Sequence, residues 1–469
     1  MSKANRTQSR WLLLFVALAI VVAACGPSSD ASDDTSTTMA TSSTDTPTSE
    51  PESDDQEPTT TTPGGGSGEL VEIDLYYPIA VGGPLQELID GLVTDFETEN
   101  PDISVNAIYS GSYDETMVRA QTASRSGSPP AAAVLASTEL YSLIHADLIA
   151  PFDGLATTDE DRDWLGSFVP AFMKNSVDGE GRTMSIPFQP STTVQYWNKD
   201  LFAAAGLDPE TPPATWDDIV TMGTQIVESG VAPNGIKVPS SAFQYALLQT
   251  FTTQNDVELQ NESGDETYFD DPRAIEALEF WRGLASEHGI APDGLVEWGT
   301  LVEDFLQGEM AVLWTTTGQM RNIADNATFE LGVSVLPSNV HGGSATGGGH
   351  IYIFKDAPTE EQQAAFRLVR WLTQPERTAE WSIATGYVAA VPEAYETQAM
   401  QEYVSEFPPA GVALEQLETA VPPLTTYDWG RVSKALNDAV SAVLTGQTSA
   451  EDALTQAQAQ AEALLAPYR

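Results

Sequence analysis

The stretch from residue 70 to residue 145 changes its hydrophobic period five times, and this alternation constrains the fold more than any other feature of the chain. Val71, Ile73, Leu75 and Tyr77 fall on one face of a strand. Leu85, Leu88, Ile89, Leu92, Val93 and Phe96 then recur at helical spacing, until "NPD" at 100–102 ends the run. Ile103, Val105, Ala107 and Tyr109 alternate again, and a helix is expected from about 113 to 126, closed by Gly127 and Pro129-Pro130. "AAAVLA" at 131–136 reads as a short buried strand, and Leu140, Tyr141, Leu143 and Ile144 continue as a helix. Strand–helix–strand–helix–strand at this spacing implies an α/β fold with a parallel sheet covered on both faces. Ligands of such sheets lie beyond the carboxyl ends of the strands, here at "YYPIAVGG", "YSGSY" and "LASTE".

The remainder is mixed in the same way. A helix is expected from about Asp271 to His288, strands at 308–314 and 330–337, and helices at 360–372 and 433–444. "SAED" at 449–452 fits a capping box for a terminal helix. "GGSATGGGH" at 342–350 is compatible with a surface loop or with backbone passing close to a ligand.

Upstream, the chain has a different character. Lys3, Arg6 and Arg10 precede a short apolar run, Trp11 to Val22, and "VAAC" follows with Cys25, the single cysteine. This resembles the lipobox of bacterial lipoproteins and implies an acyl anchor on Cys25, with residues 1–25 as signal peptide. An ordinary signal peptide with an incidental cysteine is the alternative. Residues 26–69 are rich in Ser, Thr, Asp, Glu and Pro and end in "PGGGSG", so a disordered tether is expected.

The chain of 469 residues has 20 Lys and Arg against 68 Asp and Glu, a net charge of -48. That leaves no basic surface for nucleic acid. The four histidines, at 145, 288, 341 and 350, have no metal-ligand spacing, and neither a Walker A motif nor a G-x-S-x-G elbow occurs. No catalytic residue, metal or cofactor is expected. A binding module with a cleft lined by aromatic faces and hydroxyls remains.

"PSTTVQYWNKDLFAAAGLDPETPPATWDDI" at 190–219 resembles the signature of the family 1 extracellular solute-binding proteins of ABC importers, the maltose-binding-protein-like class. "FLQGEMAVLW", "LGVSVLP", "WLTQPERTAEWSIATGYVA" and "VLTGQTSAEDAL" follow in the family's order, so the likeness covers residues 70–469. The resemblance implies a type II two-lobe fold, with lobe 1 from 70–188 plus 335–388 and lobe 2 from 189–334 plus 389–469. It also implies a membrane-anchored, extracytoplasmic monomer that delivers a carbohydrate, polyol or glycerol-3-phosphate-type ligand to ABC permease subunits. Within the family the likeness is greatest to members that bind sn-glycerol 3-phosphate. By their pattern Tyr113, Ser191, Thr316, Gly348 and Tyr387 contact the ligand. Their ligand-gripping carboxylate falls at Ser137, with Glu139 two positions on, and their Arg falls at Ser433, with Arg431 two positions before. Those two departures suit a neutral sugar or polyol better than a phosphate. Trp298 and Trp429 are further candidates for stacking on a sugar ring. A secreted glycan hydrolase and a sensor for a membrane kinase are the alternatives.

Within the signature, Asp200 is expected to cap the "LFAAAG" helix and Gly206 to close it, and Thr215 with Asp218 to form a capping box.

Overall fold

The computed structural model describes residues 70–469; the expectations for Cys25, the signal peptide and the tether lie outside the described residues. Nine strands form one hydrogen-bonded array: β1 (Val71–Tyr77), β2 (Ile103–Tyr109), β3 (Ala132–Ala136), β4 (Ile186–Asn198), β5 (Asn234–Lys237), β6 (Met310–Thr316), β7 (Leu331–Ser334), β8 (Ser344–Ile353) and β9 (Ala420–Val421). The spatial order is β2-β1-β3-β8-β4-β6-β5, with β7 also on β4 and β9 on β8. β1 runs parallel to β2 and to β3, as the sequence period implies, and β5 runs parallel to β6. The central pairs are antiparallel: β3 with β8, β8 with β4, and β4 with both β6 and β7.

β4 joins the two halves. Its first part, to Thr192, pairs with β8, and from Thr193 onward it pairs with β6 and β7. All thirteen of its residues are buried. Its polar side chains therefore need partners, and they have them. Thr192 Oγ1 and Ser344 Oγ lie 2.8 Å apart, and Gln195 donates to the Pro213 carbonyl at 3.0 Å.

Each half has its own aromatic centre. On one side Phe96 meets Trp371 edge-on at 5.7 Å and Phe152 packs on Phe366 and Trp164. On the other, Phe251 stacks on Trp281 at 5.3 Å and lies 5.0 Å from Trp314. Such ring pairs each add roughly 0.5–1.5 kcal/mol to the burial of their surface.

Local chemistry sets the helix ends. Ser112–Glu115 and Thr215–Asp218 are reciprocal capping boxes. Ser449 accepts from the Asp452 N–H at 3.1 Å and also donates to its carboxylate at 2.8 Å. Asp200 does not cap the "LFAAAG" helix: Asn198 does, accepting from the Leu201 N–H at 3.1 Å, because β4 runs to Asn198 and the helix begins at Lys199. Gly206 follows that helix with φ +79°, as its closing role requires. The "GGSATGGGH" segment is neither a loop nor peripheral; from Ser344 it is β8, paired on both sides by β3 and β4. No described helix is long and apolar enough to cross a membrane.

Candidate functional site

A cleft with an empty volume of about 700 Å³ opens where β4 and β8 change partners. Ser191, Thr192 and Thr193 enter it from β4, Gly347 and Gly348 from β8, and Thr316 from the end of β6. Pairing fixes these positions: Ser191 is opposite Gly347, Pro190 opposite Gly348, and Thr193 opposite Thr316. Gly348 has φ +104°, and a Cβ there would lie 1.9 Å from the Gln189 carbonyl oxygen. Only glycine permits this approach of the two backbones.

Two tyrosines form one wall. Tyr113, the first residue of its helix after the Ser112 cap, donates its phenol to Gln189 Oε1 at 3.1 Å. Tyr387 lies behind the helix Pro375–Thr385, which Gly386 ends with φ +91°, and its ring stacks on Trp381 at 6.1 Å. Burial raises the pKa values of both phenols first of all. Both tyrosines are therefore neutral hydroxyls.

The turn after β3 brings Ser137 and Thr138 to the cleft, both buried. Glu139, next in sequence, is not among the residues that line it. Burial pushes the Glu139 carboxyl up to about 7, the charge of Asp114 adds to this, and a hydrogen bond with Ser142 opposes it.

An aromatic group closes another side. Phe243 starts the helix Gln244–Gln254 in the left-handed region, φ +56°, and Tyr245 follows in its first turn. Trp298 meets the Phe243 ring edge-on at 5.1 Å and donates its indole N–H to the Ala80 carbonyl at 3.2 Å. Trp429 is buried beneath Tyr245, 4.8 Å away and perpendicular to it, and supports that ring without lining the cleft.

Tyr113, Ser137, Ser191, Thr316, Gly348 and Tyr387 thus meet around one cleft. Arg431 does not. It lies exposed in the first turn of the helix Trp429–Leu444, where its guanidinium is paired with Asp428. Sequence reasoning missed Thr138, Phe243 and Tyr245; the aromatic pair in "SAFQY" immediately before an apolar helix was the available signal. The cleft-lining residues include no charged side chain. No cluster of His, Cys, Asp or Glu able to hold a metal occurs among the described residues.

This architecture is that of a type II two-lobe binding protein, and comparison with known proteins places it more narrowly. The model of the bacterial extracellular solute-binding protein family matches residues 91–409, and the chain belongs to that family. The sn-glycerol-3-phosphate-binding periplasmic protein UgpB of Pectobacterium atrosepticum is 26% identical over 424 residues, covering 85% of this chain and 93% of that protein. Among solved structures, UgpB from Mycobacterium tuberculosis in complex with glycerophosphocholine superposes with a TM-score of 0.75 at 20% identity, over 86% of this chain and all of that one. An ABC substrate-binding protein from Listeria monocytogenes in complex with cycloalternan gives 0.73 at 23% identity, over 85% of this chain and all of that one. The chain is an extracytoplasmic solute-binding component of ABC import.

Proposed function

We propose that the cleft captures a neutral, hydroxyl-rich ligand, a carbohydrate or a polyol, and presents it to an ABC permease without chemical change. One observation carries this reading: a cleft of about 700 Å³ lined by hydroxyls, aromatic rings and backbone, with no charged side chain. Ser191, Thr316, Ser137 and Tyr387 offer donors and acceptors, and Trp298, Tyr245 and Phe243 offer flat apolar faces. A glycan hydrolase needs a carboxylate pair across its cleft, and none lines this one. The relatives named for sn-glycerol 3-phosphate support a second reading, a glycerophosphoester held by backbone N–H groups.

The residues of the site, the lobe boundaries at 188/189, 334/335 and 388/389, the lipid anchor at Cys25 and the monomeric state belong to the same proposal. The lipobox-like "VAAC" supports the anchor. Detergent phase partitioning of wild type and Cys25→Ala expressed in a bacterial host tests it: wild type enters the detergent phase and the variant does not.

Titration calorimetry on ligand-stripped protein tests the ligand, using maltose, mannobiose, sorbitol, glycerol 3-phosphate and glycerophosphocholine. The reading expects heat from a neutral compound, reduced about tenfold in affinity by Ser191→Ala. Binding confined to the two phosphate esters overturns it in favour of the second reading.

A further inference from the structure

One short helix reaches from its own half of the molecule to the other. It is Leu140–His145, which follows the turn of Ser137 and Thr138. Leu140 and Leu143 anchor it, packed in one apolar cluster with Tyr76 of β1 and Tyr352 of β8. Tyr141 and His145, one turn apart, point across. The Tyr141 phenol donates to the Glu262 carbonyl at 3.1 Å, and its ring lies 4.8 Å from that of Tyr427. The His145 ring meets Tyr468 edge-on at 5.0 Å. Tyr427 and Tyr468 pack against the core of Phe251 and Trp281, so they belong to the opposite half.

The receiving surface is held together by its own contacts. Tyr427 and Tyr468 stack at 4.6 Å, 10° from parallel. Beside them the loop at 261–266 is tied from within and from without. Asn261 Nδ2 donates to Ser263 Oγ at 2.8 Å and to Asp265 Oδ1 at 2.6 Å. The Tyr427 N–H donates to the Gly264 carbonyl at 3.0 Å, and Arg469 Nε to the Asp265 carbonyl at 3.0 Å. Gly264 has φ +69°, and a Cβ there would lie 2.6 Å from Tyr141 Cε2. The glycine thus lets the loop approach the incoming ring closely.

We propose that this aromatic stack is a clasp that holds the two halves closed over the cleft, with a strength that does not depend on what the cleft contains. The inference rests on the reading that the cleft captures a ligand. Tyr141, His145, Tyr427 and Tyr468 are all absent from the cleft lining. Thr138, three residues before Tyr141, and Pro423, four before Tyr427, do line it, one from each half. Parting the halves to admit a ligand therefore breaks the stack. A ligand that binds the closed arrangement gains from contacts the protein already makes without it, and loses affinity in proportion when the closed fraction falls.

The test reads closure without a ligand. Spin labels at Val118→Cys and Glu279→Cys, exposed positions on helices of the two halves, report their separation by pulsed electron resonance. The sample is ligand-stripped full-length protein carrying Cys25→Ala. Tyr427→Ala/Tyr468→Ala and, separately, Tyr141→Ala should each move the ratio of closed to open protein about tenfold toward open. The two variants remove opposite sides of one contact, so combining them should add little to the larger single effect. Thermal unfolding checks that each folds. If the tyrosine pair variant does not unfold cooperatively, Tyr141→Ala, a half-buried position on the other half, decides alone. Unchanged distances in folded Tyr141→Ala, or a parent protein with no closed population, overturn the clasp. Kinetics supply a second reading, with maltose, mannobiose, sorbitol, glycerol 3-phosphate and glycerophosphocholine as probes. Whichever binds should dissociate about tenfold faster from Tyr141→Ala, with the order of affinities among the five unchanged. A changed order makes Tyr141 part of the binding surface and overturns the clasp. If none of the five binds, the ligand readings fail while the label distances still decide the clasp.

Discussion

The phenol of Tyr113 and the side-chain amide of Gln189 meet at 3.1 Å, 76 residues apart in sequence. The bond ties the cleft wall to the strand that joins the two halves. Gln189 is 2% exposed, and its Nε2 has no partner. Tyr113 is thus what satisfies this buried amide. Tyr113→Phe leaves the whole amide unpaired, and the expected cost is about 1–3 kcal/mol in urea unfolding. Tyr113→Phe/Gln189→Leu should recover part of it, since removing both partners is less costly than removing one. A double variant less stable than the sum of the singles contradicts this account.

Gly348 allows a sharper test. Its φ of +104° is in a region that side chains rarely adopt, and the Gln189 carbonyl occupies the place of its Cβ. Gly348→Ala should cost about 3 kcal/mol or more, through strain and steric overlap together. Gly347→Ala, one residue away with nothing within 4 Å of its Cβ, should cost far less. Parallel denaturant melts decide it, and equal losses at the two glycines contradict the argument.

These two positions also show what the sequence could reveal. The alternating strands and amphipathic helices of residues 70–145 were legible because each period is carried by apolar side chains facing the core. β8 was not, because Ser344 to Gly349 carries almost no apolar side chain, and its strand character comes from β3 and β4 on either side. The family resemblance located Ser191 and Tyr387 on the cleft but misplaced Arg431. Sequence position cannot show that Asp428, three residues earlier, holds the guanidinium at the surface. The start of the helix at Gln244 was hidden for a similar reason. Phe243 takes a positive φ, and Asn437, 192 residues away, accepts from the Tyr245 N–H at 2.9 Å. Long-range partners of this kind leave no local pattern.

Two titratable groups, buried His350 and half-buried Glu139, give opposite pH dependence. His350, in β8, lies within 3.2 Å of the Ser176 and Ser185 hydroxyls, and burial lowers its pKa from 6.5 to about 3. A depressed folded value favours the neutral ring, so its contribution is intact above pH 6.5 and is lost as pH falls toward 3. Glu139, raised from 4.5 to about 7 chiefly by burial, behaves oppositely: its cost appears as pH rises through 4.5 and is complete above 7. Glu139→Gln should therefore stabilise at about pH 8 and have little effect at about pH 4. His350→Gln should flatten the loss of wild-type stability on acidification from about pH 7 to pH 4.5. Thermal melts across that range check both signs. A Glu139→Gln gain at acid pH rather than alkaline pH contradicts the assignment.

The charge of the cleft itself can be read through salt. With no lysine, arginine or carboxylate among its lining residues, the proposed capture of a neutral ligand should not depend on a bare ion pair. Raising ionic strength from about 0.05 M to about 0.5 M shortens the screening length severalfold. For a neutral sugar the affinity should change by less than about twofold over that range. A phosphate ester entering a protein of net charge -48 behaves differently. Salt screens the long-range repulsion, and its association rate should rise with ionic strength. Stopped-flow measurement of tryptophan fluorescence reads both quantities, because Trp298 borders the cleft. A bound ligand whose association rate is flat in salt is neutral; one whose rate climbs is an anion, and the carbohydrate reading then gives way to the phosphoester.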